Sequence, residues 1–370
     1  MLSDHVIIDL QSVQFGPAQT VLARHAGLTA SVFRYHSGVA GLRIANELGH
    51  VAVLPFQGQQ IWDTAFLGRR LTMRSMFDEP VPEVDFLQTY GGFFLHCGAT
   101  AMGDPGLEDR HPVHGELPNA RYQEAQLVIG NDESGAFMAL TGSYQHRIAF
   151  GGHYVAAPSI KLHDKSSRVS AEMRIRNLRH TPMELMYLAH INFRPVEGAV
   201  LIDTVPADAA HIRVRSALPP PLVPSPAYLR LVGRLEKDPT AHKAIDPSLA
   251  IDPELVLSLD PLADESGWAH AMQRLPDGAA DFVSYRPDQL DHCLRWLCQT
   301  PSESALGLML PATAEAEGRA AEMAKGNMRL LPPQGEFCCS LEFGALDAGE
   351  AAALRERIEA VIEGATKAAQ

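Results

Sequence analysis

Histidines set beside small and polar residues are the feature of this chain that most directly offers chemistry. Between Gly91 and Glu116 the sequence places His96, His111 and His114 among Asp104, Asp109 and Glu116, and a later segment, Tyr187-Leu-Ala-His190-Ile-Asn192-Phe193, adds another imidazole. Imidazole titrates near neutral pH, so a histidine presented to a polar cleft can take or give a proton there. A sugar, whose ring opens and closes by such transfers, is the first ligand to test. Imidazole and carboxylate together also suit zinc, manganese or iron. The spacing fits no metal motif, and Pro112 and Gly115 mark a loop. Three readings of that loop stand: sugar-binding, solvated without a role, or the metal site of an isomerase or lyase using His96, Asp109, His111 and His114.

The elements that must position these groups are strands. In the second segment, alternation puts Leu185, Tyr187, Ala189, Ile191 and Phe193 on one face and Met186, Leu188, His190 and Asn192 on the other. Both faces are largely apolar, which predicts a central, buried strand. A histidine there is desolvated, and a polar neighbour fixes its tautomer. A lone buried histidine is more often a satisfied core residue than a catalyst; Asn192, two residues on and on the same face, weighs toward function.

Period-two alternation recurs along the chain, in VIIDLQSVQF, LTASVFRYH, GAFMALTGSYQ, SRVSAEMRIRNL, YLRLVGRL, ALGLMLPA and FCCSLEF among others, with turn-forming clusters between most of them. The pattern predicts an all-β, antiparallel sandwich. Helical spacing is plain only at the C-terminus, where Asp347-Ala-Gly-Glu350 is a capping-box-like start and Leu354, Ile358, Val361 and Ile362 form a stripe. Shorter helices are expected at 289–297 and at 314–324, the latter ending near Gly326. Gly151-Gly-His153 reads as a hairpin turn. The proline-rich stretch 218–226 reads as a surface crossover, so residues 1–370 are expected to form one domain with a helix at 347–368 packed on it.

Composition narrows the partners. Hydrophobic residues make up 46% of 370, enough for a large core, and the formal net charge of −13 disfavours nucleic acid and anionic membrane surfaces. No stretch has the apolar length of a membrane helix, and the first residues lack the basic start of a signal peptide, so the expected location is cytoplasmic. Five cysteines, odd in number and without a CxxC pair, read as reduced thiols, with Cys338 and Cys339 on opposite faces of a strand. Neither a metal nor an organic cofactor is expected, and the oligomeric state is left open.

The pairing of His114-Gly115 with a strand of the form His190-x-Asn192-Phe193, in an acidic all-β chain of this length, resembles the aldose 1-epimerase (galactose mutarotase-like) superfamily, and more closely its DUF4432 group of aldose 1-epimerase-like proteins. The resemblance runs from about residue 40 to 345. It implies a β-supersandwich whose concave face carries a sugar cleft, His190 as the acid that protonates the ring oxygen, and His114 as its partner. A glutamate should supply the base, yet Met309-Leu310-Pro311-Ala312-Thr313 carries Leu310 where a related branch has the carboxylate of a Glu-Pro-x-Thr segment. Glu116, Asp63, Glu317 and Glu342 are the replacement candidates.

The segment Gly58-Gln59-Gln-Ile-Trp62-Asp63 resembles the strand that lines the cleft in that group, which brings in Gln59 and Asp63. Trp62 and Trp296 offer faces for stacking, although tryptophan is more often core. Arg121 has a substrate carboxylate, a sulfonate or Glu116 as possible partners, and a structural pair is the better bet. With His190 and His114 as catalytic residues, the expected substrate-binding set is Gln59, Asp63, His96, Glu116, Arg121, Asn192 and Trp296. The expected activity is interconversion of anomers of a sugar or sugar derivative. The alternative is a non-catalytic sugar-binding or regulatory module, which Leu310 favours.

Overall fold

The computed structural model describes residues 5–215, 218, 223–245 and 251–368. The described strands form two antiparallel sheets, one of nine strands and one of thirteen. At the centre of the larger sheet the strands Ile251–Leu259, His292–Gln299, Ser304–Ala312, Met183–Ile191 and Phe94–Ala99 lie side by side. A large cluster of buried side chains, from Leu127 and Leu140 of the smaller sheet to Tyr187 and Ile191 of the larger, fills the sandwich. The strand Met183–Ile191 is buried on both faces, as its two apolar faces require, apart from a half-buried Glu184. None of the described helices is long and apolar enough to cross a membrane.

The C-terminal helix spans Ala348–Ala368. Its start is a reciprocal cap, with the Glu350 amide donating to Asp347 Oδ1 at 2.9 Å and the Asp347 amide to Glu350 Oε2 at 3.1 Å. Ala351, Leu354 and Ile358 bury that helix against Met272, Phe282 and Leu346, while Val361 and Ile362 stay half-exposed. The turn around Gly151 joins the strands Gly135–Arg147 and His153–His163, with the Ile148 amide bonded to Gly152 O at 2.8 Å. Cys338 is exposed and Cys339 buried, on opposite faces of the strand Glu336–Leu346, and all five cysteines are unpaired.

Three local expectations are corrected. YLRLVGRL is not a strand but most of the helix Pro226–Leu235, capped by Ser225, whose side chain accepts from the Tyr228 amide. Its buried residues Tyr228, Leu231, Val232 and Leu235 follow helical spacing, Leu229 of the alternating set Leu229, Leu231 and Leu235 is exposed, and Ser-Pro supplies the N-cap and first-turn signals. Of the proline stretch before it, residues 219–222 lie outside the described residues. Conversely, the helix expected at 289–297 is the strand His292–Gln299, because this short apolar run lies between two others and its backbone pairs with both. The helix expected at 314–324 starts only at Arg319. The preceding strand runs to Ala312, and Ala316 and Gly318, both at positive φ, must turn the chain before a helix can start. It ends at Gly326 in the left-handed conformation, as the glycine signalled.

Candidate active site

His190 lies on the outer face of the larger sheet, 4% exposed. Its Nδ1 is 2.7 Å from Asn192 Oδ1, and Asn192 Nδ2 is committed to Gly92 O at 2.9 Å. Asn192 therefore turns its carbonyl oxygen, an acceptor only, toward the imidazole. The ring must carry its proton on Nδ1, which leaves Nε2 as a lone-pair acceptor. Burial holds His190 at about 4, well under the usual imidazole value, and the Asn192 bond offsets this only in part. At neutral pH it is an uncharged base.

His114 reaches the same place from a loop. It sits at φ +58°, a conformation that strains any residue with a Cβ, and Gly115 follows at φ +78°. The His114 amide bonds Gly103 O at 3.0 Å and its carbonyl accepts from the Gly98 amide at 2.9 Å, which pins the loop to the end of the strand Phe94–Ala99. Gly115 is obligatory here, since a Cβ would stand 2.3 Å from Ala101 O. The two imidazoles meet edge to face, ring centres 5.3 Å apart and planes at 83°. Burial, then the neighbouring His190 and Arg215, holds His114 well below the usual histidine range, and its Nδ1 is buried without a hydrogen-bond partner.

Aromatic side chains frame the pair. Phe86 packs on His114 at 4.8 Å and Trp296 on His190 at 5.4 Å, and the Tyr90 hydroxyl donates to Asn192 Oδ1 at 3.3 Å. They bound a cavity of about 310 Å³, within the range of small-ligand sites. Trp296 Nε1 donates to Glu254 Oε2 at 2.8 Å, and the other oxygen of Glu254 holds Arg215. Asp104 and Glu303 add two more carboxylates to the lining. No described residue hydrogen-bonds the Asp104 carboxylate, and burial raises its pKa above the usual aspartate value. Leu310 lines the cavity too, so an apolar group occupies the position expected of the base.

The structure thus brings His114, His190, Asn192 and Trp296 together, with Asn192 behind His190 and not in the lining. The other expected binding residues stand apart from this cavity. His96 pairs with Ala189 across the strands but faces the interior, where its Nδ1 meets Tyr187 Oη at 2.7 Å and burial lowers it to about 3. Glu116 accepts from the Tyr154 hydroxyl at 2.6 Å and from the Thr100 hydroxyl at 2.9 Å, fastening the loop just after His114. Gln59 is fully buried, its Nε2 bonded to Pro55 O and Thr141 O. Asp63 pairs with Arg70 at 2.6 Å and His50 at 3.5 Å, and Trp62 is core. Arg121 lines a different, more open depression with Arg34 and Glu83. Of the other base candidates, Glu317 pairs with Lys325 and Glu342 belongs to the smaller sheet.

The four groups of the metal reading do not converge as a set, although His111 Nε2 lies 3.6 Å from Asp109 Oδ2. His96 faces the core, while Asp109 accepts from the Gly106 and Ala320 amides and His111 from the Arg319 amide. No group of three or more His, Cys, Asp or Glu among the described residues is placed to hold a metal ion. The polar cavity residues that sequence reasoning passed over are Tyr90, Arg215, Glu254 and Glu303. Glu254 had a signal, since Glu254-Leu-Val-Leu-Ser-Leu alternates and places Glu254 and Val256 on one face.

Comparison with solved structures gives a match along nearly the whole chain. A candidate aldose 1-epimerase from Klebsiella pneumoniae subsp. pneumoniae superposes with a TM-score of 0.81 at 16% identity, covering 97% of this chain and 96% of that one. The chain has the galactose mutarotase-like fold. A galactose mutarotase-like protein from Clostridium acetobutylicum matches with a TM-score of 0.59 at 14% identity, over 87% of this chain and 99% of that one. A candidate aldose 1-epimerase from Escherichia coli K12 gives 0.51 at 10% identity, over 89% and 99%. Residues 36–204 match the model of a family described as a domain of unknown function, DUF4432, as the histidine motifs led one to expect. That stretch holds His114, His190 and Asn192, whereas Glu254, Trp296 and Leu310 lie beyond it. Among curated proteins the chain finds no match.

Proposed function

We propose that this chain, acting as a single domain, interconverts the anomers of a sugar or sugar derivative at the cavity of His114 and His190. The observation that carries the reading is the paired, uncharged imidazoles, one strained and one with its tautomer set so that Nε2 is an acceptor. Opening a hemiacetal needs one group to take the O1 proton while O5 receives another. His190 Nε2 takes the first. The O–H pair becomes the second bond of C1=O, the C1–O5 pair stays with O5, and O5 is protonated by Asp104 in its acid form, which burial favours. Rotation about C1–C2 and the reverse steps close the other anomer and return both protons. In this scheme His190 starts as the base, which supplies the function that Leu310 lacks, in place of the acid role implied by resemblance.

Exchange between anomers, followed by saturation-transfer NMR over a panel of aldoses, should exceed the buffer rate, and His190→Ala should lower it on the order of 10²–10⁴-fold. The second reading, a sugar-binding module, is favoured by Leu310 and the apolar lining. It predicts binding without accelerated exchange, and an affinity that responds to His190→Ala more than any rate does. Exchange equal to the buffer control for every sugar that binds would decide for the module.

A further inference from the structure

We infer that the ligand of this cavity is an uncharged aldose with a deoxygenated edge, an inference that rests on the sugar reading above. One half of the case is charge. Arg215 is the cation of the lining, and Glu254 already holds it, while Glu303 adds a second carboxylate, Asp104 is in its acid form and both histidines are held neutral. A uronate, sulfonate or sugar phosphate would therefore bring its charge, desolvated, to a site with more negative than positive groups. Such a charge binds poorly.

The other half is an apolar strip. Leu294 and Leu310 are direct partners on adjacent strands, and Leu188 on the next strand is paired with Ala312. Antiparallel stepping, two residues on from Leu188 and two back from Ala312, carries Leu310 alongside His190. Leu188, Leu294 and Leu310 are 1%, 3% and 2% exposed, and the backbone beneath them is taken up by the sheet. Nothing on the strip can donate to or accept from a hydroxyl. A sugar that meets His190 must lay an edge against these leucines, and a hydroxyl there would give up water without gaining a partner. A methyl or methylene edge would instead gain by burial. Trp296 Nε1 and the Tyr90 hydroxyl are already donating within the protein, and Asp104, His114 and Glu303, which stand on other segments of the lining, are left to the sugar's remaining hydroxyls.

The test uses the full chain and compares D-galactose and D-glucose with their 6-deoxy and 2-deoxy counterparts, with D-glucuronate and glucose 6-phosphate as anions, by titration calorimetry and anomer-exchange NMR. A deoxy sugar should bind about ten- to a hundredfold more tightly than its parent, the discrimination an apolar pocket achieves against one added hydroxyl. The anions should not bind. Leu310→Gln, and separately Leu294→Gln in case the first does not fold, should shrink that preference toward parity, with near-UV circular dichroism reporting the fold. Equal affinity for deoxy and parent sugars, or an anion as the tightest ligand, overturns the inference and leaves the sugar reading intact. If no aldose binds at all, the sugar reading falls and this inference with it.

Discussion

At the scale of single residues, the Asn192 amide decides what His190 can do. A histidine whose Nδ1–H is spent on an oxygen acceptor offers its Nε2 lone pair to the cavity, and burial keeps that lone pair unprotonated down to about pH 4. If neutral His190 is the base and Asp104 the acid, kcat/KM for anomer exchange should fall on the acid side with an apparent pKa near 4 and on the alkaline side as Asp104 gives up its proton. Activity that goes on rising as pH falls through 4 would return His190 to the acid role. Asn192→Asp makes the point sharper, since a carboxylate at the same Nδ1 favours the imidazolium and should move the acid limb upward by a unit or more. A change in rate without movement of the limb would mean that Asn192 acts through packing alone.

At the scale of elements, the site is a strand that anyone could read and a loop that has to be strained into place. The strand was legible: its two apolar faces and its His-x-Asn spacing predicted a buried, central segment with both side chains on one face. The carboxylates were not, since Asp104, Glu254 and Glu303 sit on three segments whose convergence depends on strand order, which local alternation does not encode. Two short amphipathic runs were misassigned for a related reason. YLRLVGRL and HCLRWLCQ satisfy both periods, and what decides between them is a Ser-Pro start in one case and neighbouring strands on both sides in the other. The loop can be tested by contrast. Gly115 and Gly68 have φ of +78° and +74°, but a Cβ meets backbone at 2.3 Å in the first and nothing within 4 Å in the second. Gly68→Ala should cost about 1 kcal/mol, from backbone conformation alone, whereas Gly115→Ala should cost at least about 2 kcal/mol more and loosen His114. Equal losses in chemical denaturation would remove the close-packed account of the His-Gly turn.

At the scale of the whole molecule, the buried histidines make the fold acid-sensitive in a window that carboxylates cannot explain. Burial lowers His96 and His242 to about 3 and His190 to about 4, with His114 also well below its ordinary value. In the unfolded chain each returns to about 6.5. Between those values the unfolded state binds protons that the native state refuses, so stability is complete above about pH 6.5 and is lost as pH falls. Each group approaches a slope of about 1.4 kcal/mol per pH unit. Four together can remove on the order of 5 kcal/mol per unit, against a typical total of about 5–15 kcal/mol. His292, raised by its bond to Asp291, works in the opposite sense, but it is part-exposed and offsets little. Carboxylates held low by partners, such as Asp132 at about 2, act only once pH drops below about 4. Urea midpoints should therefore be constant from pH 8 to 7, decline measurably by pH 5.5, and fall most steeply from there toward pH 4. A bound deoxy sugar, which requires neutral His190, should hold the midpoint up most where the histidines are failing. A midpoint unchanged between pH 7.5 and 5 would mean that these imidazoles gain no protons on unfolding, and the neutral base at the heart of the site would go with them.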